Sequence, residues 1–258
     1  MTPPLLPHPP VLFAEPPHST VPSELDRRTA QDRLQEWLAP LRLAGIKTDP
    51  IVDSGNTASC IVRTAASIQA DLIAMGTHGL GGFDRLVLGS VTEKVLRKAT
   101  CPVLTVPPAT STTAKVPYTR LLCPVDFSSS SLAALQLAFS MAEEADAALT
   151  VLHVFDCDAD AERSLAFDSP EFRRRGEDEA RARLEELLTD DARTWCKPSI
   201  CILEGKPYRQ ILKVAENEAA DLIVIGVRGR NPIDLALFGS TTNQVVRHAS
   251  CPVLTLRQ

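Results

Sequence analysis

Glycine and hydroxyl residues recur in this chain at a spacing suited to holding an anion. Gly76 and Gly79 stand three apart, and Gly89 and Ser90 follow after nine intervening residues. The same set returns 150 positions later as Gly226, Gly229, Gly239 and Ser240, with Thr241 behind it. Each set lies between an apolar, strand-like run and a helix-like run. Glycines so placed let backbone N–H groups approach an anion, and the N-terminus of a following helix favours negative charge. The reading is two related phosphate-binding loops. Taken singly, Gly226 or Gly239 is better explained as ending a strand or opening a helix. The phosphate loop G-x4-G-K-[ST] is absent, and neither repeat offers a clear general base facing the loop.

The loops belong to a longer duplication. Residues 53–106 slide onto 203–256 without a gap: Asp71-Leu-Ile matches Asp221-Leu-Ile, and Cys101-Pro-Val-Leu-Thr matches Cys251-Pro-Val-Leu-Thr. Ala65, Ala70, Asp84, Thr92, Val95, Arg97 and Ala99 recur at the same offset. A period this long indicates a duplicated domain rather than a solenoid.

The second copy reads as a complete alternation of strands and helices. Arg120–Asp126 is a short apolar strand, Ser128–Ser131 supply N-cap hydroxyls, and Leu132, Leu135, Phe139 and Ala142 follow at helical spacing. Strands at Leu149–Phe155, Ser199–Leu203, Asp221–Ile225 and Pro252–Leu256 alternate with helices at 171–189, 207–219 and 240–249. Such alternation implies an α/β domain with a parallel sheet covered on both faces. The first copy lacks the opening strand and helix. Val11–Ala14 aligns with the second strand, and the helix after it carries Leu34, Trp37, Leu38 and Leu41, with Pro40 expected to break or kink it. Three explanations stay open: a start further upstream, another segment in the gap, or a damaged remnant. The good preservation of the rest favours an upstream start or a recent truncation. The organisation is therefore a proline-rich segment 1–10, a shortened domain 11–107, a linker 108–117 and a complete domain 118–258.

Bulk properties narrow the class. At 258 residues the length suits about two domains, and a formal charge of −5 argues against a nucleic-acid backbone binder. No run reaches the roughly 18–20 apolar residues of a membrane span. The first basic residue is Arg27, and eight prolines lie within the first 22 positions. A signal peptide is therefore not expected, and the cytoplasm is the default location. The seven cysteines lack metal-type spacing and read as reduced structural residues.

The paired G-x2-G-x9-G-S sets, the strand end Pro124-Val-Asp126-Phe-Ser128 and the two Cys-Pro-Val-Leu-Thr endings resemble the universal stress protein family in its tandem form. The resemblance spans nearly all of residues 11–258. It implies two tandem Rossmann-like domains of the adenine nucleotide alpha hydrolase-like kind, with a five-stranded parallel sheet of order 3-2-1-4-5 from which the first domain lacks its first strand and helix. It also implies ATP, with Mg²⁺ accompanying the triphosphate, bound mainly in the second domain. There Asp126 would face the adenosine, with Pro124 and Val154 bordering the base. Gly226, Gly229, Gly239, Ser240 and Thr241 would cradle the phosphates. The first domain keeps Gly76, Gly79, Gly89 and Ser90 but has no counterpart of Asp126. Asp126 serves equally well as a cap or turn residue. His78 and Arg228 occupy matching loop positions, at phosphate or in solvent, and His153 reads as a packed residue.

The leading expectation is an ATP-binding stress-response regulator whose nucleotide switches its interaction with a protein partner. A nucleotide-free dimerisation scaffold and a slow ATPase or autophosphorylating protein are the alternatives. The resemblance further implies pairing through the last strands, Pro102–Val106 and Pro252–Leu256, either between two chains or between the halves of one. Replacing Gly239 by a bulky residue is expected to abolish nucleotide binding while sparing the fold.

Overall fold

The computed structural model describes residues 24–77, 88–108, 117–155, 170–188, 198–227 and 239–257. These fall into two compact units, one ending at Asn56 and the other beginning at Thr57. In the first unit, α1 (Glu24–Leu43) opens with Glu24 and Asp26, whose charges suit a helix N-terminus. Pro40 does not break this helix, which runs on to Leu43. The missing N–H falls in the last turns, and the Ala44 N–H still reaches the Pro40 carbonyl at 3.1 Å. No residue of α1 is buried. Val11–Ala14, the expected strand before it, lies outside the described residues, as does most of the linker.

The second unit holds α2 (Thr57–Ser67), β1 (Ile73–Gly76), α3 (Ser90–Lys98) and β2 (Val103–Val106) from the first repeat. The second repeat adds β3 (Arg120–Pro124), α4 (Ser129–Ala145), β4 (Ala148–Phe155), α5 (Pro170–Leu187) and β5 (Ser199–Glu204). It finishes with α6 (Pro207–Asn217), β6 (Leu222–Gly226), α7 (Ser240–His248) and β7 (Val253–Leu256). The strands form one seven-stranded sheet of order β1-β2-β7-β6-β3-β4-β5. All neighbours are parallel except β2 and β7.

Strand periodicity divides the core between the two faces of this sheet. Leu122, Leu152, Ile223, Ile225 and Val253 point to one face, where they meet Val95 and Leu96 of α3, Ile211 of α6 and Val245 of α7. Leu121, Cys123, Leu149, Val151, Leu222, Val224 and Leu254 point to the other, against Leu135, Ala138 and Ala142 of α4 and Leu184 of α5. The first cluster also takes in Ala58, Ile73 and Val103, so one core runs across both repeats. On α4 the buried stripe is Ala134, Leu135, Ala138 and Ala142, whereas Leu132 and Phe139 are only half-buried. Alanines at helical spacing let the helix lie close to the sheet.

The two repeats end their local structure alike. The helix before β1 stops at Gln69 with φ 51°, and the one before β6 stops at Ala219 with φ 50°. The next amide closes on the helix in both cases, Ala70 N–H to Ala65 and Ala220 N–H to Ala215, each at 2.8 Å. Left-handed backbone at a non-glycine residue is uncommon, so its recurrence at one offset marks the duplication in three dimensions.

The repeats meet where β2 and β7 pair antiparallel, with Val103 opposite Thr255 and Thr105 opposite Val253. Thr105 Oγ1 donates to the Val253 carbonyl and Thr255 Oγ1 to the Val103 carbonyl, both at 3.1 Å. Both threonines are buried. β2 lies between β1 and β7, and β7 between β2 and β6, so neither last strand keeps an open edge. Of the two expected last-strand pairings, the one within the chain is present. Each reciprocal bond is of the kind worth about 1 kcal/mol. The double variant Thr105→Val, Thr255→Val should lower stability by about 2 kcal/mol, read as a reduced urea midpoint at unchanged slope.

Candidate functional site

β3 pairs in parallel with β4 on one side and β6 on the other. The chain leaves β3 for β4 and leaves β6 for β7 in the opposite direction, so the connections diverge. Crevices form outside the carboxyl ends of strands at such a switch point. Pro124 ends β3 and Asp126 follows it; Gly226 ends β6. Gly239 is the N-cap residue of α7, and Ser240 and Thr241 form its first turn. Val154 lies near the end of β4, partly buried against the core.

Asp126 is engaged in the turn that starts α4. Its Oδ1 accepts from the Ser128 N–H at 3.0 Å and from the Ser128 hydroxyl at 2.6 Å. Ser128 caps the helix, its side chain accepting from the Ser131 N–H at 3.3 Å. The Ser131 hydroxyl in turn receives the Asp126 N–H at 3.3 Å. Between them Phe127 takes a φ of 64°, a strained value for a bulky residue, of the sort found at functional turns. The Arg183 guanidinium sits 4.0 Å from the centroid of the Phe127 ring, and the His153 ring lies 4.9 Å away, tilted by 47°. His153 is buried, and its Nδ1–H donates to the Val125 carbonyl at 2.7 Å. The histidine is thus packed, as the sequence suggested, and it braces the backbone beside Asp126.

The ends of the glycine loops are closed identically in both repeats. Gly89 N–H donates to the Thr77 carbonyl at 3.0 Å, and Gly239 N–H to the Val227 carbonyl at 3.1 Å. Thr92 Oγ1 donates to the Gly76 carbonyl at 3.0 Å, and Thr242 Oγ1 to the Gly226 carbonyl at 2.8 Å. These threonines tie each helix start to a strand end. Sequence reading singled out Thr241 and passed over Thr242, although the recurrence of threonine at 92 and 242 was the available signal. Neither Gly89 nor Gly239 offers a side chain to cap its helix. The first N–H groups of α3 and α7 therefore lack a cap from that position, which suits them to an anion. Gly79, Gly229, His78 and Arg228 lie outside the described residues.

Two glycines are required by packing as well. A Cβ on Gly226 would lie 2.6–2.8 Å from backbone atoms of Ser130 and Ser131, in the first turn of α4. A Cβ on Gly239 would lie 2.8 Å from the Val227 carbonyl oxygen. The idea that a bulky residue at 239 would spare the fold is therefore wrong: the added atoms meet backbone, which must shift. Ser240, exposed on the first turn, is the cleaner probe.

Of the seven cysteines, Cys123 and Cys251 are buried with free thiols, and Cys157 and Cys196 lie outside the described residues. Burial pushes the Cys123 thiol far above its usual range, and burial, with Asp221 nearby, raises Cys251 to about 11. Among the described residues no group of three His, Cys, Asp or Glu side chains is placed to hold a metal ion. No described helix is long and apolar enough to cross a membrane.

The family model described as "Universal stress protein family" matches residues 5–107 and again 117–257. The chain belongs to the universal stress protein family. A universal stress protein of Methanocaldococcus jannaschii is 32% identical over 146 residues, 55% of this chain and 83% of the relative. One from Mycobacterium tuberculosis is 29% identical over 217 residues, 81% of this chain and 69% of the relative. Among solved structures, a universal stress protein from Archaeoglobus fulgidus superposes with a TM-score of 0.66 at 25% identity, covering 91% of this chain and 80% of its own. The family's tandem arrangement thus agrees with the two repeats read from the sequence.

Two stability outcomes follow from this geometry. Asp126→Ala removes both bonds to Ser128 and should cost about 1 kcal/mol, as lost caps do, while Asp126→Asn, which keeps an oxygen acceptor, should recover most of it. Gly226→Ala should cost about 3 kcal/mol through overpacking against α4. Denaturant titration of the purified variants measures both.

Proposed function

We propose that this chain is a nucleotide-binding regulatory protein that holds ATP in its second repeat and uses it to switch its interaction with a protein partner. The observation that carries the reading is the helix start at α7. Gly239 leaves its N–H groups without a side-chain cap, Thr242 tethers it to the end of β6, and β6 adjoins β3 and Asp126 at the switch point. A triphosphate at Gly239, Ser240 and Thr241 would meet free N–H groups, hydroxyls and the positive end of the helix dipole. The adenosine would then lie toward Pro124, Asp126 and Val154, with Gly226 and Gly229 flanking the phosphates. Mg²⁺ would arrive with the triphosphate, its charge matched by phosphate oxygens rather than by a protein cage.

The first repeat supports only half of this arrangement. It retains Gly76, Gly79, Gly89 and Ser90, with Thr92 making the same tether, yet no described strand beside β1 brings an acid to the crevice. The reading is accordingly one nucleotide per chain.

Isothermal titration of the full-length chain with Mg-ATP tests it. The expected stoichiometry is one per chain, and Ser240→Ala should weaken binding about tenfold, the loss of about 1.4 kcal/mol. Absence of heat at millimolar nucleotide, with the parent protein folded, would sink the proposal.

A further inference from the structure

In the second repeat, three features of the β6 region, carried by four residues, receive the β3–α4 unit. Asp221 takes the opening of β3: its Oδ2 accepts from the Thr119 N–H at 2.9 Å and the Thr119 hydroxyl at 3.0 Å, and its Oδ1 accepts from the Arg120 N–H at 2.9 Å. Leu222 and Val224, both fully buried, pack on the face that α4 covers. Gly226 has no side chain because the first turn of α4 occupies its Cβ position.

The first repeat keeps the same three features 150 positions earlier, as Asp71, Leu72 with Ala74, and Gly76. Their surroundings differ. β1 is the sheet's edge and, among the described residues, pairs only with β2. Leu72 is 46% exposed where Leu222 is 0%, and nearby Ile68 is 61% exposed. Asp71, Ala74 and Gly76 are exposed as well. An open apolar edge is a template for another strand. Here the edge carries the fittings for a particular one, since the twin repeat displays what covers each position.

We propose that the β1 edge is a docking site for a strand–helix polypeptide segment of the β3–α4 kind. The segment is an apolar strand running parallel to β1, its first backbone N–H groups held by Asp71, continuing into a helix whose small first-turn residues close over Gly76. Residues 1–22 differ from such a segment in composition: eight of them are proline, which has no N–H to donate to a ladder and disfavours a helix interior. The proposal is independent of nucleotide binding.

The probe is a fluorescently labelled peptide spanning residues 117–146 of this chain, titrated into the full-length protein and read by anisotropy. Saturable one-to-one binding is expected. Asp71→Ala and Ala74→Lys, both at exposed positions, should weaken it at least tenfold while leaving the circular dichroism melt unchanged. A peptide carrying Leu122→Pro should not bind. Absence of saturable binding overturns the proposal, as does binding undiminished by Ala74→Lys, which would signal exchange at β6 instead. A concentration-dependent dimer abolished by Ala74→Lys and untouched by the peptide would assign the edge to a second copy and overturn it equally.

Discussion

The antiparallel contact between β2 and β7 is the constraint on which the described architecture of the second unit rests. A parallel sheet assembled from strand–helix units ends in a strand whose outer N–H and C=O groups need partners. In this chain each repeat supplies the other's partner. The reciprocal bonds of Thr105 and Thr255 fix the register, since each hydroxyl reaches the carbonyl of the residue opposite its own. A slip by one residue would turn Val103 and Val253 out of their shared core. The sheet is thereby continuous, and one face carries a single core built from both repeats.

Packing and ligand chemistry make overlapping demands at the end of β6. Gly226 is forced by the approach of α4, and Gly239 by the Val227 carbonyl. Both would be glycines in a fold of this kind whether or not an anion visits. What an anion requires in addition is a helix start whose donors its N-cap residue does not cap, and Gly239 provides no side-chain cap. Asp126 shows the same overlap. Its carboxylate organises the start of α4 just past the end of β3, and the strained Phe127 beside it is held by Arg183 and His153. Strain next to a candidate site is maintained by surrounding contacts, because the backbone alone would relax it.

The two repeats also separate what a residue is from what its neighbours make of it. Leu72 and Leu222 are the same residue in the same motif, one half exposed and one fully buried. Ala30, Leu34 and Leu38 of α1 stand 150 positions before Ala180, Leu184 and Leu188, which are buried in the second repeat, yet α1 has no buried residue. An amphipathic stripe is only an offer of packing; its stabilisation depends on a surface to accept it.

The duplication, the α/β class, the parallel strands and most helix positions were legible in the sequence, because apolar periodicity and glycine spacing are local signals. Family membership was legible for the same reason, since the loop motifs and the Cys-Pro-Val-Leu-Thr endings recur intact. Other features were decided only by the tertiary structure. Pro40 stays within α1, since a proline near a helix end forfeits little. The role of Asp126 as an acceptor for Ser128, the tethers from Thr92 and Thr242, and the backbone contacts that demand glycine at 226 and 239 all depend on atoms distant in sequence or on a turn's dihedral angles. The pairing of β2 with β7 was one of two alternatives in the sequence, because two identical edges carry no label saying whether their partner belongs to the same chain. Periodicity specifies which face of an element is apolar, whereas what meets that face is settled only when the chain folds.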